Sequence, residues 1–156
     1  MEIDKLFRDL SPRVPYGVIG RITIDVTTKD IDMEGFHIDE PMDVDVILTD
    51  INIDGDIKFM AVDGTSEDLA YTIQEWSECG VFTYKDFKPY LRHMSSMTEE
   101  EKREYHKTFR PEVYGMGFVY VESVHSFDWL NKHHFDYRGL IGDGTANEAP
   151  DGMYNK

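Results

Sequence analysis

Thirteen consecutive residues, DWLNKHHFDYRGL from Asp128 to Leu140, bring together Trp129, His133, His134, Asp136, Tyr137 and Arg138. An anionic ligand such as a nucleotide needs cationic hydrogen-bond donors, and Arg92, His133, His134 and Arg138 are the donors this chain offers beside aromatic rings. A second chemistry uses carboxylates. If the helix runs on through the segment, His133 and Asp136 share one face, His125 lies two turns before His133, and Asp128 one turn after His125. That quartet sketches a metal-dependent hydrolase, but its spacing is no recognised ligand pattern, so neither a metal nor another cofactor is assigned. The simplest alternative is local capping, packing and hydrogen bonding, with Trp129 in the core.

Other motifs are weaker. His93-Met94-Ser95 and His106-Lys107-Thr108 repeat the histidine tripeptide of two-histidine phosphoesterases. That fold draws its two motifs from well-separated strands, whereas these stand close together and the second falls in a predicted helix. In TDINIDGDIKF, Asp50, Asn52, Asp54, Gly55 and Ile57 match an EF-hand loop, yet its twelfth position is Ala61 where a bidentate Glu is required. The preceding alternation is that of a strand. A β-hairpin is therefore expected, with a three-residue loop from Asp54 to Asp56 and with Ile51 and Ile53 facing Phe59 and Ile57. Cys79 lies at the negative end of a helix, which disfavours its thiolate. No nucleophile elbow, phosphate loop or dinucleotide fingerprint occurs, and no catalytic residue is assigned.

The elements that must hold these residues follow from periodicity. YGVIGRITIDV alternates, with Tyr16, Val18, Ile22, Ile24 and Val26 on one face, and predicts a half-buried strand. TTKD reads as a turn and GFHID as a short second strand. In DVDVILTDINI the apolar residues change from even to odd positions, which predicts a β-bulge near Thr49 and Asp50. A helix capped by Ser66 and ending near Gly80 presents Leu69, Ile73 and Trp76. GVFTY is expected to return as an edge strand, and Pro89 to start a short helix. Thr98 and Glu101 form a capping box for a surface helix that Pro111 closes. GMGFVYVESV reads as one more strand, and a last short helix is capped by Ser126. The tail, 142–156, rich in Gly, Asp, Asn and Pro, is expected to be an extended wrap or disordered. Strands first and helices later argue for α+β: a twisted antiparallel sheet or small barrel from the N-terminal half, packed by helices from the C-terminal half.

Composition sets the outer bounds. At 156 residues, with 40% hydrophobic and 13% aromatic residues, the chain is expected to be a single domain, 1–156, with a packed core. One cysteine and no apolar leader or span imply a soluble protein of a reducing cytoplasm, away from membranes. A formal charge of −15 disfavours direct nucleic-acid binding. It admits a different role, in which Asp43, Asp45, Asp50, Asp54 and Asp56 stand in for phosphates and block a DNA-binding protein.

KPYLRHMSSMTEEEKREYH, Lys88 to His106, and DWLNKHHFDYRGLI, Asp128 to Ile141, together with LSPRVPYGV and a tail holding EAP and GMYN, resemble a family of short uncharacterised proteins common in phages and prophages of gut anaerobic bacteria. The resemblance spans most of the chain and brings no activity with it. It implies an accessory protein in the cytoplasm of an infected bacterium. The expected function is therefore a non-enzymatic binding module that blocks a host protein or sequesters a small nucleotide-like ligand, with an acidic DNA mimic or a metal-dependent hydrolase as alternatives.

Overall fold

The computed structural model describes residues 2–24 and 42–154. The expected TTKD turn and GFHID strand lie outside them. The chain begins with helix α1 (Glu2–Leu10) and a 3-10 segment (Ser11–Tyr16), followed by β1 (Ile19–Ile24), β2 (Met42–Ile51) and β3 (Ile57–Ala61). Helix α2 (Glu67–Glu78), a 3-10 turn (Tyr84–Asp86), β4 (Lys88–Leu91) and a second 3-10 turn (Met94–Ser96) come next. The remainder is α3 (Glu99–Lys107), β5 (Arg110–Tyr114), β6 (Gly117–Val121), α4 (Val124–Lys132), α5 (Leu140–Asp143) and β7 (Asn147–Glu148). This is α+β. The main sheet runs β3-β2-β1-β4-β7, open rather than closed into a barrel, and it is mixed because β7 pairs parallel to β4.

Alternation builds the centre. Ile22 and Ile24 of β1 and Val44, Val46 and Leu48 of β2 are buried on one face, where they meet Leu10 and Ile73 and Trp76 of α2. The bulge falls where the phase of apolar residues changes: Leu48 pairs with Phe59, and the next pair is Asp50 with Lys58. The hairpin register differs from the expectation. Ile51 rather than Ile53 faces Ile57, and Ile53 is 93% exposed at the loop tip. Asn52 decides this, because its Oδ1 accepts the N–H groups of Asp54 (3.0 Å) and Asp56 (2.9 Å) and so holds a five-residue loop. Gly55, at φ 87°, lies where an added Cβ would stand 2.7 Å from the Tyr84 ring.

Ser66 caps α2 as expected, and buried Ser77 accepts the Phe59 N–H at 2.9 Å, covering part of the edge strand β3. GVFTY forms no strand; Thr83 makes one isolated bridge with Asp56 and then caps the 3-10 turn, with its N–H bonded to Asp86. Pro89 starts no helix. It lies in β4 opposite Gly20, and Pro89, Tyr90 and Leu91 are consecutively buried, which a central strand satisfies and a one-faced helix does not. Gly20 admits this strand: a Cβ there would lie 2.3 Å from the Phe87 ring.

Candidate functional site

Helix α4 positions the His-rich segment, and Ser123, not Ser126, is its N-cap. The Ser123 hydroxyl accepts the His125 N–H at 3.1 Å, while Ser126 Oγ accepts the Ser123 N–H at 2.9 Å as the reciprocal half of the capping box. At the other end the helix stops at Lys132 and does not run on. The Phe135 N–H bonds to the Leu130 carbonyl (3.0 Å) and the His134 N–H to the Asn131 carbonyl (3.1 Å), the two bonds of a Schellman motif. His134 takes the left-handed position at φ 64°, where glycine is usual. His133 and Asp136 therefore share no helical face.

Past this turn the chain pairs briefly with the end of β4. The Arg92 N–H donates to the His134 carbonyl and the Asp136 N–H to the Arg92 carbonyl, both at 2.8 Å. The Arg92 guanidinium lies 4.1 Å over the Phe135 ring and makes two 2.8 Å hydrogen bonds to Glu101, the residue that also completes the cap of α3. Those bonds from Arg92 hold the Glu101 carboxyl down at about 2.

Arg138 stands 3.4 Å from Asp9, a buried carboxylate that also takes two hydrogen bonds (2.8 and 3.1 Å) from buried Arg13. Tyr137 lies under both guanidiniums, 5.4 Å from Arg13 and 5.2 Å from Arg138, and its hydroxyl donates to Asn131 at 3.0 Å. The Asp136 carboxylate accepts the N–H groups of Leu140 (2.8 Å) and Ile141 (2.9 Å) and caps α5. Trp129 packs among Tyr105, His133 and Phe135, half-buried.

The two imidazoles are not cations at neutral pH. Burial lowers the pKa of His133, with nearby Glu101 opposing, and burial takes His134 down to about 3, helped by the charge of Arg13. Buried His134 stacks on Tyr154 with ring centroids 3.6 Å apart. Tyr154 holds the tail against the sheet: its hydroxyl accepts the Ile19 N–H at 3.0 Å and donates to the Tyr90 carbonyl at 2.7 Å, bridging β1 and β4. Two clefts flank it, one of 220 Å³ beside Arg92 and His93 and one of 430 Å³ bordered by Tyr16, Asp45, Asp63 and His134.

The structure thus gathers Arg92, Trp129, His133, His134, Asp136, Tyr137 and Arg138 into one region, where the side chains of Arg92, Asp136 and Tyr137 are hydrogen-bonded within the chain, while buried His134 Nδ1 and Arg138 Nε have no hydrogen-bond partner. A phosphate there would compete with Glu101 for Arg92 and would lie beside the Asp9 carboxylate at Arg138. The hydrolase quartet is not assembled: Asp128 accepts the Tyr16 hydroxyl at 2.5 Å and Asp136 caps α5. Among the described residues no group of three or more His, Cys, Asp or Glu side chains is arranged to hold a metal ion.

The more conspicuous surface is one that the sequence marks only in part. GMGFVYVESV gives β6 as expected, but its partner β5, Arg110–Tyr114, stands where only a helix-closing proline is expected. The two form a separate hairpin closed by Gly115 (φ 64°) and Met116, with Tyr114 opposite Gly117 and Val113 opposite Phe118. The signal is Val-Tyr-Gly-Met-Gly-Phe, a glycine-led two-residue turn between apolar runs. Of its residues only Val121 is even half-buried; Val113 is 81%, Phe118 60% and Tyr120 63% exposed. Pro111, Val113, Phe118 and Tyr120 alternate onto one uncharged, largely apolar face, where the Phe118 and Tyr120 rings meet edge to face at 5.4 Å. Compared with protein-family models, curated proteins and solved structures, the chain matches none.

Proposed function

We propose that this protein is a non-enzymatic binding module that acts by occupying the surface of another protein, with the β5–β6 arm as its contact element. One observation carries the reading: from Val113 to Val121 nine residues hold no charge, in a chain that is 30% charged, and they present their apolar side chains to solvent. With a fully exposed aromatic side chain offering on the order of 150–250 Å², Tyr114, Phe118 and Tyr120, at 77%, 60% and 63% exposure, leave about 300–500 Å² bare, Tyr114 on one face of the hairpin and the other two on the opposite face. Val113 and Met116 add to it, and apolar surface on this scale is that of the largest, often functional, patches monomers carry. In the setting that the phage resemblance implies, the partner is a host protein in the bacterial cytoplasm and the effect is blockade.

The alternative roles draw less support. Small-anion sequestration draws on Arg92, which Glu101 already holds by two hydrogen bonds, and on Arg138, which stands 3.4 Å from the Asp9 carboxylate. The DNA-mimic reading uses five aspartates, of which Asp43 accepts a hydrogen bond from Thr23 (2.6 Å), Asp45 from Tyr90 (2.9 Å) and Asp56 from Asn52 (3.4 Å), while Asp50 and Asp54 are exposed.

The test is site-specific photo-crosslinking in bacterial extract, with a benzophenone amino acid at position 118 or, as control, at exposed Tyr71 on α2. Heteromeric adducts are expected from position 118 and not from position 71. Equal yields from both positions, or none from either, would contradict the proposal.

A further inference from the structure

The main sheet has a second face. Opposite the one that buries Ile22, Val44 and Val46, Ile19 of β1 and Ile47 of β2 stand side by side in register, half-buried, with Arg21 and Asp45 the next outward pair. The tail crosses this face at Tyr154, and beside it lies the 430 Å³ cleft, whose apolar lining is Ile19, Ile47, Val62 and Met153.

The polar groups around the cleft are unevenly engaged. The hydroxyls of Tyr16 and Tyr154 are taken by Asp128 and by the strands, so both residues offer only their rings. Asp45 accepts from Tyr90 (2.9 Å) and lies 3.6 Å from Arg21, both through Oδ1, which leaves Oδ2. Exposed Asp63 makes no hydrogen bond or ion pair with a described residue. Buried polar atoms are almost always hydrogen-bonded, yet His134, which borders the cleft and is 7% exposed, keeps its Nδ1 buried without a partner. Among the described lining residues there is no Lys or Arg, and the charge of Arg13, which reaches His134, is matched by Asp9.

We infer that this cleft is a second binding site and that its ligand is a small organic cation, a primary ammonium on an apolar body. The two carboxylates take the ammonium N–H donors, the phenol rings offer their negative faces, and the isoleucine floor takes the body. His134, neutral, has an acceptor nitrogen for a further N–H. An anion would meet two carboxylates and no cation, and a metal ion would leave the rings and the apolar floor unused. The field of a chain of charge −15 draws cations toward the site. The site shares no residue with the β5–β6 arm, so it neither needs nor replaces the contact proposed above.

The test titrates nitrogen-15-labelled full-length protein with phenethylammonium, its neutral alcohol analogue and phenylpropanoate, read by amide chemical shifts. Saturable shifts at Gly17, Ile47, Val62 and Met153, with the arm silent, are expected from the ammonium. The alcohol is expected to bind about tenfold more weakly and the carboxylate not at all. Asp63→Asn removes a charge that pairs with no described residue, so it is expected to melt as wild type does and to weaken the ammonium roughly fivefold. Glu100→Gln, the same loss of charge on α3 outside the cleft, is expected to change nothing. Alcohol binding as tight as ammonium binding, equal effects of the two substitutions, no saturable shift at millimolar ammonium, or its displacement by equimolar Mg²⁺ each overturns the inference. The crosslinks from position 118 stand or fall independently of all four.

Discussion

Arg92, His134, Tyr154 and Asp9 show how chemistry-bearing residues become structural ones. His134 is buried with its pKa near 3 against an ordinary 6.5. Between those values the unfolded chain binds a proton that the folded chain refuses, so stability is expected to fall as pH drops from 6.5 toward 3. Glu101, held at about 2, adds to the loss below 4.5. At the other end, burial raises the phenols of Tyr105 and Tyr154 above 10, so the unfolded chain ionises first and stability falls as pH rises past 10. Thermal melting across pH checks both limbs; a midpoint unchanged from pH 6.5 to 4 would contradict the account of His134. Replacing Asp9 by Asn leaves Arg13 charged and poorly paired in the core, at an expected cost of about 3–5 kcal/mol in denaturant titration.

At the scale of elements, local signals are legible where they are self-contained and illegible where distant residues decide. Ser66, the Thr98–Glu101 box and the bulge near Thr49 depend on neighbours within a few positions, and each stands where the sequence puts it. The cap of α4 lies three residues before its expected place because Ser123 and Ser126 satisfy the same box reciprocally and only the helix start distinguishes them. Pro89 reads as a helix start because its strand exists only through Gly20 and the buried Phe87 ring, neither of which marks residues 88–91 locally. The site residues stand out as a cluster, but their engagement is hidden: Asp9 and Arg13 lie more than a hundred positions before Arg138 and Tyr137. Ser123→Ala is expected to cost about 1 kcal/mol, and more than Val124→Ala, since only the former removes a cap. Equal melting points for the two variants would contradict the assignment.

Across the whole molecule, an acidic body built on an open mixed sheet carries one neutral, apolar, two-stranded arm. Among the described residues no helix is long and apolar enough to cross a membrane. The central claim is that the arm, and not the histidine and arginine patch, makes the contact. Native mass spectrometry in bacterial extract tests it by comparing wild type with two folded variants, Val113→Lys/Phe118→Lys on the arm and His134→Ala/Arg138→Ala on the patch. A discrete protein adduct lost in the arm variant and kept in the patch variant is the predicted result. An adduct indifferent to the arm, or a small anion's mass lost in the patch variant, would contradict it.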